Sequence, residues 1–280
     1  MRWRRWIRLS AWRRWMREGD VRGTVSSIFR HPVKGLTPEP MDSVELTAGA
    51  YFPNDRLYAV EVGPSGFDPE NPRHVSKMRF AVLARFPALA QVKTRFNDVT
   101  GMLHVGDAAG FGVDIPFGSD ESREALARYL QAFLGAQAEQ KLRVLQGPAS
   151  HRFMDNARDG FVSAINLNTI RAVEQAIGKP VDPLRFRANI YYDGPPAFAE
   201  TALERGDVLA FGAARLKTMK PIERCVATHV DPDTGVRDID MVDELRTHFG
   251  AVHLGTYFSV ETSGRVARGD SIADERLPGT

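Results

Sequence analysis

Residues 166–192 read NLNTIRAVEQAIGKPVDPLRFRANIYY, and the period of their apolar positions changes part-way along. Leu167, Ile170, Val173 and Ile177 follow helical spacing, with Asn166 or Asn168 placed to cap the start and Gly178-Lys179-Pro180 to stop it. The run Arg187 to Tyr192 then reads as a strand. The same alternation extends outward. Ser119 to Leu134 predicts a helix capped by Ser/Asp and ended at Gly135, with Ala125, Leu126, Tyr129, Leu130 and Phe133 on one face. Met241 to Phe249 predicts a short third helix. Strand-like runs precede them at Thr24–Phe29, Ser43–Thr47, Leu57–Val62 and Val92–Phe96. Others follow at Val208–Phe211, Arg215–Met219, Val226–Val230 and Thr256–Glu261. Pro64 to Arg73, with three prolines, reads as a loop. Strands, then helices, then strands, with no repeated βαβ unit and no GxGxxG, give an α+β class with a mixed β-barrel core and a few packing helices.

The 280 residues contain 37 Lys plus Arg, 35 Asp plus Glu and a single cysteine, Cys225, with 43% hydrophobic residues. This is the composition of a globular chain long enough for one large or two small domains. One cysteine excludes an internal disulfide, an iron–sulfur cluster held by four cysteines, and four-Cys or two-Cys structural zinc. Redox chemistry would therefore need a different cofactor and electrons from a separate protein. The expected compartment is cytoplasmic.

Charge is concentrated at one end. Residues 1–20 hold seven arginines against Glu18 and Asp20, so they carry +5 and leave −3 for the rest of a +2 chain. A nucleic-acid footprint on the body is not expected. All four tryptophans, Trp3, Trp6, Trp12 and Trp15, lie in the same segment. Arg and Trp together suit peripheral contact with an anionic membrane, but the Trp positions spread over roughly 240° of a helix instead of forming a stripe. A tail without structure, a targeting segment, or a start at Met16 are the competing readings. No later stretch is apolar for the 18 residues a membrane span needs.

Cys225 follows Arg224 directly, and a neighbouring guanidinium favours the thiolate that binds metals. Strand alternation would nevertheless turn Arg224 to the other face. Arg185, Arg187 and Asn189 share one face if that segment is extended, a row suited to phosphate or carboxylate. Lys34 and Arg56 stand at strand ends or turns. His229, four residues after Cys225, lies about 13 Å from it on a strand, too far for one zinc ion. Asp231 to Gly235 reads as a turn. Glu200 and Glu204 read as solvated. No Ser-His-Asp spacing, HExxH or P-loop occurs.

The ordered set HPVKG (31–35), NDR (54–56), RFRAN (185–189) and ERCVATHVDPDTG (223–235), with Gly269-Asp270 near the end, resembles the MOSC family, the C-terminal domain of molybdenum-cofactor sulfurases. The early part resembles that family's N-terminal β-barrel domain. Residues 1–20 are then a tail, 21–118 the N-terminal β-barrel-like domain and 119–280 the MOSC-like domain. The resemblance implies a pyranopterin molybdenum cofactor with Cys225 as metal ligand and catalytic centre. It also implies Lys34, Arg56, Ser163, Asn166, Arg187 and Asn189 as cofactor contacts. The implied activity is reduction of N-hydroxylated small molecules, as in the amidoxime-reducing members, with a separate reductase or electron carrier as partner. A sulfur carrier using a Cys225 persulfide, or a non-catalytic module binding a phosphorylated ligand, are the rival functions. Three positions depart from the pattern: Gly35 stands for the usual Ser, His31 for Tyr and Ala188 for Pro. The C-terminal ferredoxin-like domain of some bacterial relatives has no counterpart here.

Overall fold

A computed structural model describes residues 23–97, 99–106, 112–116, 118–154 and 162–274; the expectations for residues 1–20 lie outside them. The centre is a closed mixed barrel. Strands β9 (Val162–Asn166), β10 (Ile190–Asp193), β11 (Val208–Phe211), β12 (Ala214–Glu223), β13 (His253–Thr262) and β15 (Ser271–Asp274) join β1 (Gly23–Arg30), and β1 closes the ring by pairing with both β15 and β10. The short β2 (Glu39–Met41) extends β1, and β3 (Ser43–Leu46) pairs with β14 (Gly264–Ala267). Thus part of the N-terminal region is built into the C-terminal barrel.

β9 and β10 are parallel, with Ala164 opposite Ile190, so the chain must cross over between them. Helix α2 (Leu167–Ile177) is that crossover. The Asn166 side chain caps it by accepting from the Asn168 N–H, and Gly178 ends it in the left-handed region at φ 68°. Alternation explains the two-sided burial of these strands. Ala164, Ile190 and Tyr192 point into the barrel with Phe211 and Phe258, whereas Ile165 and Tyr191 point outward beneath α2 and α3 (Met241–Phe249).

A second core lies beside the barrel. β4 (Tyr58–Val62) pairs with β8 (Leu142–Gln146), and β5 (Lys93–Asn97), β6 (Met102–Gly106) and β7 (Gly112–Pro116) form a meander. Helix α1 (Asp120–Leu134) packs Leu126, Leu130 and Leu134 against Val60, Val62, Leu142 and Val144. Ser119 caps α1, two acids occupy its first turn and Gly135 ends it, as the sequence predicts.

Three expectations are corrected. Residues 226–230 are not a strand, because Val226–His229 form one turn of 3-10 helix. The strand expected from Arg187 begins at Ile190, because Pro183–Phe186 form a 3-10 turn capped by Asp182. Glu200 is not solvated: it is 3% exposed, accepts hydrogen bonds from the Thr169 hydroxyl at 2.8 and 3.0 Å, and burial pushes its carboxyl up to about 7. No helix among the described residues is long and apolar enough to cross a membrane.

Candidate functional site

Cys225 stands where β12 has just ended, and the half-exposed residue opens on a cleft of about 130 Å³. Its carbonyl accepts both the Thr228 N–H at 2.9 Å and the Thr228 hydroxyl at 2.8 Å, bonds that close the 3-10 turn. The turn undoes the alternation argument, so Arg224 and Cys225 line the same cleft. Arg224 is committed to the fold. Its Nε donates to the Leu254 carbonyl at 2.8 Å, its Nη1 to the Phe186 carbonyl at 2.9 Å, and its guanidinium lies 5.3 Å over the Phe186 ring. Burial pulls its pKa down to about 10, which leaves it cationic. His229 is not part of the lining; its Nε2 lies 3.2 Å from Asp240. Among the described residues no group of three or more His, Cys, Asp and Glu could hold a metal ion.

The cleft is cationic. Lys34, Arg56, Lys77, Arg185, Arg187 and Arg224 line it, against Glu223 as the acid in the lining. The row expected from Arg185, Arg187 and Asn189 does not form, because Pro183–Phe186 are a 3-10 turn and Arg187 follows it in the left-handed region, which breaks the alternation of an extended segment. Arg185 is almost fully buried and donates to Asp238 at 3.1 Å and to the Thr228 carbonyl at 3.0 Å, which ties it to the turn behind Cys225. Arg187 has φ 55° and Arg56 has φ 48°, left-handed values that cost an L side chain on the order of 1–3 kcal/mol each. Tertiary bonds impose them. The Arg56 N–H donates to the His31 carbonyl at 2.6 Å, its Nη1 to Asp55, and its Nη2 to the Arg187 carbonyl at 2.7 Å. One strained arginine therefore positions the other across the cleft.

Beneath Arg56, His31 is fully buried, 3.5 Å from Asp55. Burial and the Arg56 charge push its pKa down to about 3, so it is neutral. Burial alone would raise the Asp55 carboxyl, but Arg56 and the bonds from His31 outweigh it and hold the group well below the carboxylate range. Lys34 points its Nζ at the Phe153 carbonyl, 2.9 Å away. Gly35 has φ +89°, and a Cβ there would stand 2.2 Å from the Ala81 carbonyl oxygen. The departure from Ser is thus demanded by the backbone of this chain.

The remaining expected residues are split. Ser163 lines the cleft, and its Oγ donates to Asn189 Oδ1 at 2.8 Å while accepting the Asn189 N–H at 3.0 Å. Asn189 sits behind Ser163, outside the lining, with its Nδ2 donating to the Phe29 carbonyl at 3.3 Å. Asn166 is also outside the lining: its amide donates to the Pro195 and Pro196 carbonyls at 3.1 and 2.7 Å and its Oδ1 caps α2. Lys77, Met154 and Tyr257 are lining residues that the sequence reading missed. Lys77 is the one with a signal, a cation in the short SKMR turn that follows the proline loop.

Two family matches cover this architecture: a MOSC N-terminal beta barrel domain over residues 22–139 and a MOSC domain over residues 148–273. The chain belongs to the MOSC family. Among its relatives are mitochondrial amidoxime reducing component 2 of Homo sapiens, 27% identical across 89% of this chain and 83% of that protein. Mitochondrial amidoxime-reducing component 1 of Homo sapiens is 25% identical over 89% of this chain and 82% of its own length. The crystal structure of the YUAD protein from Bacillus subtilis aligns with 91% of this chain and 96% of its own, at TM-score 0.42 and 14% identity. Ala188, another of the three departures from the MOSC pattern, donates its N–H to the Tyr191 hydroxyl at 3.1 Å, a bond that a proline could not make.

Proposed function

We propose that this MOSC protein is an oxidoreductase that binds a pyranopterin molybdenum cofactor and reduces N-hydroxylated small molecules. The observation that carries the reading is the placement of the sole thiol, Cys225, on a cleft walled by six cations. The donor set fits the group. A thiolate is a soft ligand suited to molybdenum, and guanidinium and ammonium groups neutralise a phosphate. A single thiolate without supporting carboxylates or imidazoles is a poor site for a bare ion, so the metal at Cys225 would arrive already chelated, as a pyranopterin delivers it.

Cys225 would hold the metal, Lys34, Arg56 and Arg187 the phosphate and pterin, and Ser163 a polar edge of the group. Asn189 orients Ser163, and Asp55 orients Arg56. The bound cofactor would supply two-electron redox chemistry. Conversion of an amidoxime to an amidine takes two electrons and two protons and releases water. Val82, Leu83, Ala84 and Met154 give the substrate an apolar wall beside the cations. With one cysteine in 280 residues the electrons come from a separate carrier.

The test supplies cofactor-loaded protein with an aromatic amidoxime and a chemical reductant and follows amidine by chromatography. The reading predicts turnover that disappears in Cys225→Ala. Loaded protein that forms no amidine, or a Cys225→Ala variant with unchanged turnover, overturns it.

A further inference from the structure

Among the described residues the large apolar side chains left in water are Met78, Val99, Val226 and Val236, exposed by 50, 94, 46 and 57%. Val99 sits in the β5–β6 turn, but the other three flank the Cys225 cleft. Met78 follows Lys77, and Val226 lies between Cys225 and Ala227; those three neighbours are lining residues. Val236 is held at the same rim by its own turn. The Asp231 N–H closes that turn on the Val236 carbonyl at 2.8 Å, and Arg237 then donates its Nη2 to the carbonyl of Ala84, in the apolar wall of the cleft, at 2.7 Å. Single exposed apolar residues are ordinary on a protein surface, whereas three around one opening form a patch.

The same rim carries cations without counter-ions. Arg85 donates its Nη1 to the Met78 carbonyl at 2.8 Å and lies 5.0 Å over the Phe86 ring, and Arg237 bonds the Ala84 carbonyl, so both spend hydrogens on neutral groups and keep their charge uncompensated. Arg79, beside Met78, has no side-chain partner among the described residues. The acids of the neighbouring turn are engaged elsewhere: Asp233 pairs with Lys93 at 3.1 Å, and Asp231 and Asp238 face the buried Arg185 at 3.8 and 3.1 Å. Glu223 remains as the acid of the cleft lining, against these three arginines and the six cations of the cleft. The rim is therefore apolar and positive together, the combination that recognises an acidic protein face.

We infer that this rim is the docking face for a small acidic electron-carrier protein, an inference that rests on the proposed reductase activity. Arg79, Arg85 and Arg237 meet carboxylates of the carrier, Met78, Val226 and Val236 lose their water against it, and Val226 brings it within one residue of Cys225. Each docking delivers one electron, so two reduced carriers and two protons from solvent convert one amidoxime to one amidine and one water and leave two oxidised carriers. An anionic membrane would meet the same side chains. The carrier is favoured because electrons have to enter at this opening and lipid supplies none.

The probe is a plant-type ferredoxin, a small acidic one-electron protein, titrated by calorimetry into the full chain purified from a host that makes the cofactor. Saturable binding is expected at low salt and its loss at high salt. Arg79→Glu and Val236→Asp, both exposed changes, weaken binding several-fold singly and about tenfold together, while Arg128→Glu on α1 leaves it unchanged. Amidine formation driven by reduced ferredoxin falls with the binding, and formation driven by a chemical reductant does not. Wild type that binds ferredoxin but forms no amidine with either reductant strikes the reductase reading and leaves the docking face standing. Absence of saturable ferredoxin binding, binding indifferent to Arg79→Glu and Val236→Asp, or attachment through these residues to phosphatidylserine vesicles in place of ferredoxin, overturns the inference.

Discussion

Two residues show how far local physics determines this chain. Gly35 stands where the family resemblance calls for Ser, yet its φ of +89° and the Ala81 carbonyl 2.2 Å from a hypothetical Cβ make any side chain costly. Gly35→Ser is therefore expected to destabilise the protein by at least about 2 kcal/mol, read as a fall in urea midpoint, instead of restoring a lost cofactor contact. Glu200 gives a pH signature. Its folded pKa of about 7 lies above the ordinary 4.5 because burial disfavours the charge. A raised folded pKa means the folded state holds the proton more tightly, so this contribution is complete below pH 4.5 and is lost as pH rises through 7. Relative to Glu200→Gln, the wild type is expected to lose on the order of 3 kcal/mol of unfolding free energy between pH 4 and 9. Parallel pH profiles for the two proteins would contradict that assignment.

At the scale of elements, helix boundaries were legible and strand pairing was not. Ser119 with Gly135, Asn166 with Gly178, and Met241 with Phe249 bracket α1, α2 and α3 because caps and apolar spacing are local signals. The parallel pairing of β9 with β10 joins residues 26 positions apart across a helix, the closure of the barrel by β1 joins residues more than a hundred positions apart, and no local pattern encodes either. The strand expected at 226–230 rested on β-branched Val226, Thr228 and Val230. Thr228 instead turns both its donors to the Cys225 carbonyl while its own carbonyl accepts Arg185, and those tertiary bonds override β propensity. Asn166 shows the same separation within one residue. It is both a cap and a residue the family resemblance placed at the cofactor, and the structure commits its amide to Asn168, Pro195 and Pro196. Asn166→Ala is thus expected to lower stability by about 1–3 kcal/mol while leaving molybdenum content of the surviving folded protein unchanged. Loss of metal at unchanged stability would return Asn166 to the cofactor.

For the whole molecule, the cleft exists because two chain regions meet. Lys34, Gly35, Arg56, Lys77 and Val82–Ala84 come from the N-terminal region, while Ser163, Arg185–Arg187, Ile222–Cys225 and Tyr257 come from the barrel and its turns. The cations were visible in the sequence as isolated residues; their convergence was not, since it depends on left-handed turns at Arg56 and Arg187. The thiol was legible from composition alone, being the sole cysteine. The central claim is that this thiol holds a molybdenum centre whose organic part is anchored separately by the cations. The direct measurement is molybdenum and pterin content of wild type and Cys225→Ser, purified from a host that makes the cofactor and compared per folded chain. The account predicts molybdenum approaching one per chain in wild type, and in Cys225→Ser a loss of metal exceeding the loss of pterin. A wild type without molybdenum, or a Cys225→Ser variant with undiminished metal, would contradict it.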